Sequence, residues 1–250
     1  SNQPVHMFKG IFSCLKVDSP SIMHFLIPDA GEVKITEILK LSAAVESRYF
    51  PSITYSLSEG KKWGSRFSIS QNPQPEANWP THPFTFVDVD GAEKTQELAF
   101  TYADYKAITS EKLEELMIIP ESFSSPELIP LADYLEKNAE ELTGKVPFIW
   151  LVNQENCLKR AALPYMWVVS CQARLDNWNY IQELGGVNSY HVTEALAREK
   201  AKWQAEKAAE IAAINAANLA AIALAKSTAA NEAMERLTNL LLGLDAAPIA

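Results

Sequence analysis

Apolar side chains recur at helical spacing at the front of the chain, at Met7, Phe8, Ile11, Phe12 and Leu15. The turn residues of 16–20 close that predicted helix. Residues 22–27 are then apolar almost without a break, the pattern of a strand covered on both faces of a parallel sheet. Ile35, Ile38, Leu39, Leu41 and Val45 mark an amphipathic helix over 35–48, and 53–57 reads as a second strand. The first region, 1–58, is therefore α/β in pattern. From 59 to 100 the pattern breaks. Gly60-Lys61-Lys62-Trp63-Gly64 is a turn, and the prolines of 72–76 and 79–83 argue against regular elements there. Residues 84–89 and 95–100, around Asp90-Gly91, predict a hairpin, and the stretch as a whole reads as a structural linker.

Residues 101–190 predict a small α+β unit. A helix starts at Thr101-Tyr102-Ala103-Asp104-Tyr105, and another at Ser125 (N-cap) and Pro126 (first helical residue). A strand over 145–153, a turn over 154–156 and a return strand over 157–162 follow. The helix 165–184 turns Val168, Cys171, Leu175, Trp178, Ile181 and Leu184 inward and stops at Gly185-Gly186. The last region, 191–250, is alanine-rich. Without Gly or Pro over 192–242, it predicts one helix roughly 75 Å long, with Thr193 as N-cap and Gly243 as stop. Charges crowd its first half, and Ile211, Ile214, Leu219, Ile222 and Leu224 lie among alanines further on.

Charge and composition narrow the picture. With 250 residues, 48% of them hydrophobic, the chain can bury one or two ordinary cores. Acidic residues outnumber basic ones 31 to 22, and the net charge of −9 argues against nucleic acid as a partner. An acidic electron carrier is also repelled unless a local basic patch meets it. Cys14, Cys157 and Cys171 lack paired spacing, which favours a reducing, cytoplasmic setting. No unbroken run of about 18 apolar residues occurs, so no membrane span is expected. No signal peptide is visible, and the start at Ser1 reads as the edge of a fragment.

Candidate chemistry is sparse. His6, His24, His82 and His191 have no metal-ligand spacing, and His24, inside the apolar run, is expected to be a core residue or the wall of a cofactor cleft. There is no nucleophile elbow, phosphate loop or dinucleotide fingerprint. Cys171 lies on the apolar side of its helix, and Cys157 follows Glu155, which raises a thiol's pKa. Asp88, Asp90 and Glu93 read as a hairpin tip, too short a run for a calcium loop. No residue is assigned a catalytic or metal-binding role. Of six tryptophans, Trp63, Trp79, Trp150, Trp167 and Trp178 are expected to pack inside, and Trp203 to stand exposed as a knob for another surface.

The segment 17–29 followed by Leu41-Ser42-Ala43-Ala44-Val45-Glu46-Ser47-Arg48, Phe50-Pro51 and Tyr55 resembles the closing βαβ segment of the thiamine-diphosphate domain in 2-oxoacid:ferredoxin oxidoreductases. Residues 59–190, with Leu128-Ile129-Pro130-Leu131-Ala132 and Gly144-Lys145-Val146-Pro147-Phe148-Ile149-Trp150, look like the region that follows that domain in long fused bacterial relatives. The resemblance implies a partial parallel-sheet thiamine-diphosphate-type domain, then a small α+β unit and a long C-terminal helix. It implies a parent enzyme that oxidatively decarboxylates a 2-oxoacid with thiamine diphosphate, Mg²⁺ and [4Fe–4S] clusters. Ferredoxin or flavodoxin would be its acceptor. This chain would carry none of those cofactors and would serve structure and assembly, its partners being the rest of the parent or a second copy. Where many relatives have a cysteine able to ligate a cluster, this chain has Asp29, a hard oxygen ligand ill suited to iron–sulfur. The other reading from the sequence is a non-catalytic scaffold derived from that family, associating through the long helix.

Overall fold

The computed structural model describes residues 3–27, 36–88, 91–109, 113–153 and 155–243. The chain divides into two compact units, Ser1–Tyr190 and His191–Ala250. In the first unit, helices α1 (Pro4–Lys16) and α2 (Glu37–Glu46) precede strand β1 (Thr54–Tyr55), a short helix α3 (Trp63–Arg66) and β2 (Phe67–Ser68). The hairpin β3 (Thr81–Val87) and β4 (Glu93–Ala99) leads into α4 (Tyr102–Thr109). Then come β5 (Met117–Ile119), β6 (Leu128–Pro130), α5 (Leu131–Leu135), β7 (Val146–Val152), β8 (Leu158–Ala162) and α6 (Tyr165–Leu184). The class is mixed α and β, with small sheets and a long C-terminal helix.

The core lies between α6 and a four-stranded sheet in the order β5-β8-β7-β6. β7 and β8 form an antiparallel hairpin whose turn is tied by Asn153, whose Oδ1 accepts from the Cys157 N–H at 2.8 Å, while Asn156 adopts φ 59°. α6 buries Trp167, Cys171, Leu175, Trp178 and Ile181, a three-to-four-residue spacing that makes one face. α4 packs against that helix, and at its first turn the Thr101 N–H and hydroxyl both donate to Asp104 Oδ2, at 2.7 and 2.6 Å. Each large apolar side chain buried here contributes about 1.5–3 kcal/mol.

Several expectations are corrected. Residues 20–27 form no strand, Ile22 is 95% exposed and Ile27 84%, because an apolar run cannot form a ladder without a neighbouring strand. The predicted strand 53–57 shrinks to β1 and pairs antiparallel with β2, so the parallel sheet expected of 1–58 is absent among the described residues. The parallel pair that does occur is β6 with β7. Ser125 and Pro126 do not open a helix: residues 128–130 join the sheet instead, where Leu128 pairs with Val146. The proline-rich segment also contributes structure. Thr81, His82 and Pro83 belong to β3, and Ile69, Asn72 and Trp79 are buried, so 59–100 packs into the core and does not act as a linker. Asp29, Ile35, Val89 and Asp90 lie outside the described residues.

The second unit is built on α7 (Tyr190–Leu241), a helix of 52 residues with no buried side chain whose first residue closes the first unit. It begins three residues before Thr193, which is therefore within the helix, and Gly243 ends it with φ 67°. Arg198 reaches Glu194 at 3.5 Å and Lys207 reaches Glu210 at 2.9 Å, pairs that stabilise an exposed helix by a few tenths of a kcal/mol each. Although no unbroken apolar run exists, an 18-residue window of α7 reaches a mean hydropathy of 1.6, so length and composition suit a membrane crossing. Alanine raises the mean while Asn215 and Asn218 interrupt the run.

Candidate functional site

A concavity of about 480 Å³ in the first unit is lined by Asn78, Asn179, Tyr180, Gln182, Glu183 and Asn188. It sits where the last turns of α6 meet the loop 74–78. That loop has no ladder, so side chains satisfy its carbonyls. Gln182 Nε2 donates to Pro75 O at 2.8 Å, Trp178 Nε1 to Ala77 O at 2.9 Å, and Asn188 Nδ2 to Glu76 O at 2.8 Å. Asn78 Nδ2 donates to Glu136 Oε1 at 3.1 Å.

Arg48 completes the arrangement. Just past the end of α2 it takes φ 57°, a left-handed conformation costing about 1 kcal/mol or more for a residue with a Cβ. Its guanidinium then donates to Gln74 O at 2.9 Å, Ala77 O at 3.2 Å and Asn78 O at 3.3 Å, and lies 4.0 Å from the centre of the Trp178 ring. Charge-assisted bonds of this kind contribute about 1.5–3 kcal/mol each, enough to offset the backbone cost. Burial lowers the Arg48 pKa to about 10, against the opposing pull of Glu46. Ala43, Ala44, Val45, Ser47 and Arg48 are all buried, and of these Arg48 locks the loop.

The chemistry of this cavity is limited. Gln182 Nε2 donates to two backbone carbonyls, Asn188 and Asn78 each donate once, to backbone and to Glu136, and the ionisable groups of the lining are the Tyr180 hydroxyl and the Glu183 carboxylate. Nearby, Tyr49, Tyr102 and Tyr105 stack at 5.0–6.0 Å, with the Arg174 guanidinium 5.0 Å from the Tyr49 ring. Burial raises the Tyr102 and Tyr105 hydroxyls above their ordinary range. Burial also lifts Asp104 to about 6, against the pull of its Thr101 hydrogen bonds, and Cys171 to about 12, helped by Asp104. A thiol held that high is a core hydrophobe.

The other singled-out residues lie apart. His24 is exposed, with its ring edge-on to Phe50 at 4.9 Å, and so is not the core residue its position in the apolar run predicts. His82 Nε2 sits 3.1 Å from Glu46 Oε2, and His191 is exposed in the first turn of α7. Among the described residues, no three His, Cys, Asp or Glu side chains gather closely enough to hold a metal. Asp88 pairs with Lys94 across the hairpin. Cys157 contacts Glu155 O through its sulfur at 3.7 Å. Trp203 is 59% exposed in α7. Trp63, expected inside, is 51% exposed instead, beside Tyr55 and Phe67. The visible signal for this surface was Trp63 following two lysines in a turn. No protein-family profile, curated protein or solved structure matches this chain.

Proposed function

We propose that this chain is the C-terminal part of a 2-oxoacid:ferredoxin-type oxidoreductase and serves its packing and assembly, with no redox chemistry of its own. The observation that supports this reading is the uncovered apolar surface of the segment that carries the resemblance. Val5, Phe8, Phe12 and Leu15 of α1, Ile22, Phe25 and Ile27 after it, and Ile38 and Leu39 of α2 are all exposed. At about 1.5–3 kcal/mol per side chain buried, so many wet residues amount to a large unused stabilisation. The closing segment of a parallel-sheet domain has this character when the strands it would join belong to upstream chain. In that setting residues 22–27 become a buried strand, and the parallel sheet exists in the parent. Thiamine diphosphate, Mg²⁺ and the [4Fe–4S] clusters are held upstream, the acceptor is ferredoxin or flavodoxin, and the setting is the cytoplasm.

Two measurements test it. In-frame coding sequence upstream should encode a Gly-Asp-Gly motif and C-x-x-C pairs. Hydrogen exchange on the isolated chain should show residues 20–27 unprotected, with protection gained when the upstream polypeptide is joined. Slow exchange of 20–27 in the isolated chain sinks the reading.

A second reading, a scaffold that associates through α7, is favoured by one observation: none of the apolar residues of α7 is buried. At about 100° per residue Ile211, Ile214, Leu219 and Ile222 fall within an arc of about 140°, a face one neighbouring helix could cover, while Leu224 lies on the other side. Sedimentation of the intact chain should show association that is lost on truncation after Tyr190. Monomers in both cases, or flotation of the intact chain with lipid vesicles, would refute it.

A further inference from the structure

Between β1 and β2 the chain builds a surface that no core packing accounts for. The rings of Tyr55 and Trp63 lie 4.8 Å apart, tilted by 36°, and those of Trp63 and Phe67 stack 5.7 Å apart, making one continuous row. Phe67 packs against the buried cluster of Ile69, Trp178 and Ile181, so the row is mounted on the core. Its outer members face solvent: Tyr55 is 44% exposed and Leu57 beside it 60%. The backbone is fixed. Gly60 takes φ 117°, Arg66 Nε donates to Gly60 O at 2.7 Å, Ser65 Oγ donates to Lys62 O at 2.8 Å, and the Ser56 N–H donates to Arg66 O at 2.9 Å. Rings held this way lose little further entropy on binding.

The charge is local and opposite to that of the whole. Residues 56–68 carry Lys61, Lys62 and Arg66 against one carboxylate, Glu59, in a chain of net charge −9. Among the described ion pairs neither Lys61 nor Lys62 takes part, and both are exposed. At physiological salt, charges further away than about 8 Å are screened, so an approaching partner senses this patch more than the distant acidic surface. Exposed Trp and Tyr with flanking cations have the composition of an interface hot spot.

We propose that the Tyr55–Trp63–Phe67 shelf, with Lys61 and Lys62, is a docking surface for an acidic, aromatic-containing segment of a partner protein. The apolar side chains of that segment cover the rings and its carboxylates meet the lysines. The inference does not depend on the family reading. A polynucleotide is the weaker occupant, because its many phosphates extend beyond the patch onto a chain of net charge −9.

The test is anisotropy of a fluorescein-labelled random glutamate–tyrosine copolymer titrated with the intact chain, beside a lysine–tyrosine copolymer and oligo(dT). Saturable binding of the acidic copolymer is expected, weakened at least about tenfold by Trp63→Ala and by Lys61→Glu with Lys62→Glu, and weakened by added salt. Circular dichroism and the melting temperature check that both variants fold, and the exposed lysine double variant decides the matter if Trp63→Ala does not fold. Absence of saturable binding, equal binding by the variants, or oligo(dT) bound as tightly and lost in the same variants overturns the proposal.

Discussion

Helices α6 and α7 are both long, both carry large apolar residues and tryptophan, and do opposite things. In α6 the apolar positions return every three or four residues, and Trp178 is buried against the Arg48 guanidinium. In α7 alanines supply the helix propensity and the larger apolar residues point to all sides, none of them buried. Propensity makes a helix and periodicity gives it a place in a core. Trp178→Ala should therefore cost about 3–5 kcal/mol in urea unfolding, whereas Leu219→Ala in α7 should stay within about 0.5 kcal/mol. A loss below about 1 kcal/mol for the first would erase the contrast.

Arg48 is the next lever, since it ties α2 and the 74–78 loop to α6. Arg48→Met should cost about 2–3 kcal/mol, less than the sum of three charge-assisted bonds, because three carbonyls lose a charged donor while the desolvation cost of the buried guanidinium is removed with it. Lys at this position should recover little, since its compact ammonium cannot reach all three carbonyls from over the Trp178 face. Full rescue by Lys would show that the site needs only a positive charge.

A smaller effect comes from Asp104 at the start of α4. Its folded-state value of about 6 lies above the ordinary 3.8, so the folded chain binds this proton more tightly than the unfolded one. The contribution of this group to stability is therefore highest below 3.8 and falls as pH rises through about 6. Asp104→Asn should flatten that part of the pH profile measured by urea unfolding. A slope unchanged by the substitution would place the titration elsewhere.

The smallest effect separates the thiols and leaves stability alone. Native labelling with a maleimide should modify Cys14 and Cys157, which are partly exposed, and spare Cys171, held at about 12 in the core. Mass spectrometry of the labelled peptides reads this directly. Labelling of Cys171 at the same rate would mean that the α6 core opens readily.

The hairpin of β7 and β8 and the full span of α6 were legible in the sequence, because two strand-length runs around an Asn-containing turn, a Gly-Gly stop and a buried helical stripe are local signals. The length of α7 was legible for the same reason. Residues 22–27 and 125–130 were misread because strand formation depends on a neighbour, and sequence names no neighbour. The first run found none, while the second found β7 and became a strand where capping residues favoured a helix. The aromatic shelf was half legible: Trp63 after two lysines stood in view, but the packing of Tyr55 and Phe67 on either side of it in sequence is a product of the β1–β2 pairing.

By itself, then, the sequence determined the longer helices, α1, α2, α4, α6 and α7, the β7–β8 turn and the charge balance, all of which rest on contacts within a few residues or on composition. Only the tertiary structure decided which apolar runs are covered, that the proline-rich segment enters the core through Ile69, Asn72 and Trp79, and that Arg48 closes a loop some thirty residues away. Those outcomes depend on burial and pairing between distant segments, whose energies a local pattern does not contain.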